Sequence, residues 1–202
     1  MNKRNIIIPI VLVLMVFLIG FINKPKSNSL GDKSQVVVYN SHPFEVYKSG
    51  LSIKEASELL ETKLLDNKLE CTYIDNPNKD YKGSYEFSRK LILDNIKELN
   101  NTVLLDIHVN EDKETSNGDI TVYVGKGNKQ YTKNKQFAES LIKMINSVDN
   151  TIKCELILNG NGKYNQDLSS KALLISIGNK DTADTDMQNI IDALAASMGE
   201  TL

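Results

Sequence analysis

Three short runs of aliphatic and β-branched residues limit what this chain can become. They lie within residues 35–40, 103–107 and 172–177 and are apolar almost without a break. Runs of this length and make-up form strands buried on both faces, the condition of a parallel sheet covered by helices. The intervening chain supplies the helices. In residues 52–65, Ile53, Ala56, Leu60 and Leu64 fall on one face, with Ser52 as N-cap and Glu55 three residues on. Residues 84–99 carry Phe87, Leu91 and Leu99 behind a Ser84 cap. Residues 133–148 turn Phe137, Leu141, Ile145 and Val148 inward, and residues 184–198 form a closing helix. Further strands are expected at 69–74, 119–124 and 152–158, the last two with alternating polarity. Strands and helices in this alternation predict an α/β domain with a mainly parallel sheet and helices on both faces.

Two of the three buried runs end on the only two histidines of the chain, His42 and His108. In open α/β sheets the functional crevice lies at the carboxyl ends of the strands, so both histidines are expected on that edge. Glu45 stands three residues after His42. A His-x-x-Glu pair and a second histidine from a neighbouring strand supply three zinc ligands and leave one position open, the catalytic arrangement. The competing reading is two polar residues at a sheet rim. The third run carries Ser176 towards the same edge. A zinc hydrolase also needs an acid–base group, usually a glutamate, to move a proton from water to the leaving nitrogen.

With 202 residues, a net charge of −2 and 41% hydrophobic residues, the chain has room for one domain and an appendage. A sequence pI of about 5.8 gives no electrostatic case for nucleic acid. Cys71 and Cys154 have no CxxC or histidine partner, which excludes a cysteine metal motif. They read as two buried free thiols, although an extracytoplasmic location permits a disulfide. Residues 6–22 are apolar and free of charge, preceded by Lys3 and Arg4. The segment is at the short end for a membrane span, and no small-residue cleavage site follows it. It reads as a single N-terminal transmembrane anchor (1–22), with 23–34 a polar linker and 35–202 the domain, exported to the extracytoplasmic side.

Several stretches in chain order resemble one family. Residues Tyr164-Asn165-Gln166-Asp167-Leu168-Ser169, followed by Ala172-Leu173-Leu174-Ile175, are highly specific. Tyr39-Asn40-Ser41-His42-Pro43-Phe44-Glu45-Val46-Tyr47 is similar to a Tyr-His-Thr-His-x-x-Glu-Ser-Tyr motif. Tyr81-Lys82-Gly83-Ser84-Tyr85-Glu86-Phe87-Ser88-Arg89 is similar to Tyr-x-x-Ser-Tyr-x-x-Ser-Arg, and Asp106-Ile107-His108 to the start of Asp-Ile-His-Arg-Asp. Together they resemble stage II sporulation protein P, a family of membrane-anchored zinc N-acetylmuramoyl-L-alanine amidases that act in engulfment. The resemblance covers residues 35–202. It implies an amidase-like fold and one zinc ion held by His42, Glu45 and His108. It implies hydrolysis of the amide between the muramic acid lactyl group and the L-alanine of the stem peptide. It also implies peptidoglycan as substrate, sporulation envelope proteins as partners, and Tyr85, Arg89, Asn165 and Gln166 as substrate-side residues. For the Ser84–Arg89 stretch the competing role is helix capping and a surface arginine. For residues 164–167 it is a rigid turn.

This sequence departs from the pattern at three places. Asn40 stands where the family has its first histidine, Val109-Asn110 follow the second ligand in place of Arg-Asp, and Ser176 occupies the position of the acid–base glutamate. A serine hydroxyl does not shuttle protons near neutral pH. Two functions therefore follow: an amidase of reduced activity, or a membrane-tethered pseudoenzyme that binds peptidoglycan or an envelope partner without cutting. Glu111 and Asp112, just after His108, offer a substitute base or a solvated acidic loop.

Overall fold

A computed structural model describes residues 34–110 and 119–202. The apolar segment 6–22, most of the linker, and Glu111 and Asp112 lie outside the described residues. Among those described, no helix is long and apolar enough to cross a membrane.

The elements follow in the order β1 (Gln35–Tyr39), α1 (Ile53–Asp66), β2 (Cys71–Ile74), α2 (Ser84–Asn95), a 3-10 turn (Leu99–Asn101), β3 (Thr102–Asn110), β4 (Ile120–Gly125), α3 (Tyr131–Val148), β5 (Cys154–Asn159), β6 (Lys171–Asn179) and α4 (Asp184–Thr201). The strands form one sheet in the order β2-β1-β3-β6-β4-β5. Every pairing is parallel except β4 with β6, so β4 and β5 run against the other strands. The sheet is mainly parallel as expected, with a reversed pair on one side.

Two-residue periodicity sorts the central strands onto two faces. Val36, Val38, Val103, Leu105, Ile107, Ile120, Val122, Val124, Leu173, Ile175 and Ile177 pack with the apolar stripes of α1, α3 and α4 in one large core. Val37, Tyr39, Leu104 and Ala172 face the other way and pack with Ile92 of α2 and with Ile96. One face thus carries three helices and the other carries one. Beyond Leu104 and Ala172, the thinly covered face is no longer apolar. By the same alternation it presents Asp106 and His108 from β3 and Ser176 from β6.

Local signals explain most element ends. Ser52 and Glu55 form a reciprocal capping box at α1, with the Ser52 hydroxyl accepting from the Glu55 N–H and the Glu55 carboxylate accepting from the Ser52 N–H. α2 differs from expectation. Gly83 is its N-cap, in the left-handed conformation at φ 79°, and Ser84 caps nothing; it is the first helical residue and is buried. The helix stops at Asn95, and its buried stripe is Ser84, Ser88 and Ile92, while Phe87 is exposed. A second difference concerns β3, which continues past His108 to Asn110, with a register irregularity between them. Cys71 on β2 and Cys154 on β5 are free thiols at opposite edges of the sheet. Five strand spacings of about 4.8 Å separate them, far beyond disulfide reach.

Candidate metal centre

His42 and Glu45 lie in the loop that leaves β1, and His108 lies on β3, the strand beside it. Parallel pairing of β1 and β3 sets Tyr39 opposite Asp106, which brings the β1 loop onto the end of β3. His42, Glu45 and His108 are all buried, and one donor atom from each lies within 4.8 Å of the others. Glu45 Oε1 is the hub, 2.9 Å from His108 Nδ1 and 3.4 Å from His42 Nδ1. Glu45 Oε2 accepts a 2.7 Å hydrogen bond from the Val109 N–H.

The far side of His108 is held as firmly. Its Nε2 lies 3.1 Å from Asp106 Oδ1 and 3.0 Å from Ser41 Oγ. Asp106 is fully buried, and it accepts in addition from the Ser41 N–H and hydroxyl, both at 2.8 Å. A buried carboxylate needs such partners, because desolvation otherwise makes it costly. Burial opposes a charge on His108, but the Asp106 and Glu45 carboxylates outweigh it and raise its pKa to about 10. Burial likewise works against the Glu45 charge, and the neighbouring histidines and the Val109 N–H bring its pKa down to about 2.

The donor set fits a tetrahedral metal. Bonds of about 2.0–2.2 Å to imidazole and carboxylate place neighbouring donors about 3.3 Å apart, close to the separations around Glu45 Oε1. Asp106 on the outer nitrogen of His108 is the usual second carboxylate of a carboxylate–histidine–metal arrangement. His42 presents Nδ1 to this set, and its Nε2 is buried with no hydrogen-bond partner in the protein. The cluster can hold a metal ion with these three side chains.

An aromatic rim surrounds it. Tyr81 stacks on His42 with ring centroids 4.3 Å apart, and Tyr85 meets it edge-on at 5.1 Å. Burial first, then the Asp106 carboxylate, holds the Tyr85 phenol well above its usual range, so it stays protonated. Past Tyr85 opens a cleft of about 630 Å³, lined among others by Arg89, Lys129, Lys163, Tyr164, Asn165 and Asp167. Tyr85, Arg89 and Asn165, expected on the substrate side, are thus gathered beside the cluster. Arg89 grips Asp167 in a two-pronged pair at 2.8 Å, and Asn165 donates to the Tyr85 carbonyl and the Ser88 hydroxyl. Gln166 has another position. It is fully buried, its amide bonds the Tyr123 carbonyl and the Gly125 N–H, and it braces the loop from beneath. The same loop crosses Gly125 so closely that a side chain there would collide with the Gly162 carbonyl.

Ser176 is buried and pairs directly with His108 across β3 and β6. Its side chain therefore shares the face of His108. Asn40 does not. It is fully buried, donates to Ser57 Oγ on α1 and to the Ile107 carbonyl, and accepts from the Tyr73 hydroxyl. Val109 also faces away, into the larger core. Asp106, Ser41 and Tyr81 were not singled out by sequence reasoning. Asp106 was within reach of it, since an aspartate two residues before a strand histidine must share its face.

A second cleft, of about 690 Å³, lies between the end of α3 and α4 and contains none of these residues.

The fold is shared with solved amidases. An N-acetylmuramoyl-L-alanine amidase from Clostridium difficile 630 matches with a TM-score of 0.57 and 17% identity, covering 85% of this chain and 95% of that one. The CwlD amidase from Clostridioides difficile, solved in complex with the GerS lipoprotein, matches with a TM-score of 0.55 and 18% identity, covering 83% and 98%. At these identities the likeness is one of fold. Stage II sporulation protein P of Bacillus subtilis (strain 168) is 26% identical over 212 aligned positions, covering 87% of this chain and 53% of the relative. The chain thus spans about half the length of that relative. The model of the stage II sporulation protein P family matches residues 21–199. With nearly the whole chain inside that match, this protein belongs to the stage II sporulation protein P family.

Proposed function

We propose that this chain binds zinc at His42, Glu45 and His108 and acts on peptidoglycan as an N-acetylmuramoyl-L-alanine amidase of low turnover. The observation that carries this is the buried His42–Glu45–His108 cluster, with Asp106 behind His108, on an amidase fold. Zinc, when bound, supplies Lewis-acid polarisation of the amide carbonyl and water activation. The protein's own groups do the rest. Asp106 and Ser41 engage His108 Nε2 and so turn Nδ1 towards the cluster. Tyr85 keeps its proton and offers it as a hydrogen-bond donor at the edge of the centre. Arg89 and Asn165 shape the cleft wall on the peptide side. Ser176 stands where a glutamate would receive and return the proton, and its hydroxyl leaves that step unassisted. Residues 6–22 serve as the membrane anchor that places the domain on the extracytoplasmic side, beside the wall and sporulation envelope partners.

Ser176 also favours a second reading, a domain that binds the wall without cutting it. Both are tested by digesting sacculi with the zinc-loaded full chain in detergent, beside its Ser176→Glu variant, with mass spectrometry of the products. The amidase reading expects stem peptides with new L-alanine amino termini from both, and about 100-fold more from Ser176→Glu. Cleavage by the variant alone supports the non-cutting reading of the natural chain. Zinc-loaded protein that is inert in both forms overturns the amidase reading.

A further inference from the structure

Two unlike surfaces flank the metal cluster. One is the cleft beyond Tyr85, with Lys129 and Lys163 in its wall. The other is formed by Phe44 and Tyr81, two large aromatic side chains left 43% and 66% exposed. Their ring centroids are 5.9 Å apart and tilted by 50°. Both also reach the His42 ring, Phe44 at 5.9 Å and Tyr81 at 4.3 Å. Scattered exposed apolar residues need no explanation, but an aromatic pair that meets at the rim of a buried polar cluster does.

We infer that Phe44 and Tyr81 form a platform for a saccharide ring of the glycan strand, and that the stem peptide leaves towards Lys129 and Lys163. The inference rests on the peptidoglycan reading above and gives it a direction. The scissile amide joins a sugar-borne lactyl group to a peptide, so its two sides differ in chemistry. A pyranose ring carries an apolar C–H face and no charge, and it stacks on the electron-rich face of an aromatic ring. A stem peptide carries free carboxylates, which Lys129 and Lys163 complement. Arg89 is engaged by Asp167, whose charge Lys129 also reaches, and Glu86 lines the same cleft; Lys129 and Lys163 are its other cations.

The test uses the zinc-loaded full chain in detergent and two probes, a chitotetraose without peptide and a free stem tripeptide, titrated by calorimetry. Binding to whole sacculi is measured in parallel. Phe44→Ala and Tyr81→Ala are each expected to weaken the tetraose by about tenfold and leave the tripeptide unchanged. Lys129→Glu with Lys163→Glu is expected to do the reverse. Tyr81→Phe and Phe44→Tyr keep the stack and should keep tetraose affinity. Both aromatic residues are exposed, so their truncation empties no core, and circular dichroism verifies the fold. If sacculi bind but the tetraose does not, or binds equally well to both alanine variants, the platform is wrong while the peptidoglycan reading stands. If sacculi do not bind at all, the peptidoglycan reading falls and the platform with it.

Discussion

His108 Nδ1 stands 2.9 Å from Glu45 Oε1, while its other nitrogen stands 3.1 Å from Asp106. The ring is gripped from both ends by carboxylates in a buried setting. That grip raises its pKa to about 10, so at neutral pH the metal-free histidine is an imidazolium.

Zinc must therefore displace a proton. Binding at pH 7 is expected to release about one proton per ion. Calorimetry in two buffers of different ionisation enthalpy reads this directly, and an enthalpy independent of buffer would contradict it. In metal-free protein the same residues give opposite pH limbs. The His108 pKa is raised in the folded state, so its contribution is full below about 6.5 and is lost as pH rises through about 10. The Glu45 pKa is lowered, so its contribution is full above about 4.3 and is lost as pH falls through about 2. Urea midpoints in chelator should fall between pH 6.5 and 10, and Glu45→Gln should flatten that fall.

Asp106→Asn keeps the size of the side chain and removes its charge. Loss of this outer partner is expected to weaken zinc by about 10–100-fold. Competition against a chromophoric chelator measures it. An unchanged affinity would show that the carboxylate behind His108 does not orient the ligand.

The Asn40 side chain makes three hydrogen bonds, two of them buried, to Ser57 on α1, the Ile107 carbonyl and the Tyr73 hydroxyl. Asn40→Ala should cost about 2–4 kcal/mol of stability by leaving buried partners unmet. Its zinc affinity should stay that of the natural chain. A large drop in affinity, measured on the folded fraction, would place Asn40 in the site.

The Arg89–Asp167 pair ties α2 to the loop in which Tyr164 and Asn165 adopt left-handed backbone, at φ 48° and 55°. The arginine hydrogen bonds hold the Asp167 carboxyl below its usual range. Its stabilisation is present above about pH 3.9 and is lost as pH falls further. The pair is partly exposed, so Arg89→Met should cost only about 1 kcal/mol. Acid titration of the unfolding midpoint should show a shallower limb in the variant.

Much of this architecture was written in local pattern. Val36–Val38, the 103–107 run and the 172–177 run announced buried strands because both of their faces exclude water. Ser52 and Glu55 announced the start of α1 because a capping box needs only three-residue spacing. His42, Glu45 and His108 could be grouped because parallel strands finish at one edge. The start of α2 is not legible this way, since a left-handed Gly83 replaces a side-chain cap and leaves Ser84 free to be buried.

The sequence by itself determined where most strands and helices lie, and which three side chains are candidates to hold a metal, because periodicity and spacing are properties of the chain alone. Only the tertiary structure decided the faces and partners. β4 runs antiparallel against β6, a choice its alternating polarity does not encode, since alternation specifies a buried face and not a neighbour. Asp106 joined the centre and Asn40 left it because adjacent residues on a pleated strand point to opposite sides, and the side that becomes the site is fixed only when α2 covers part of one face and leaves the rest open.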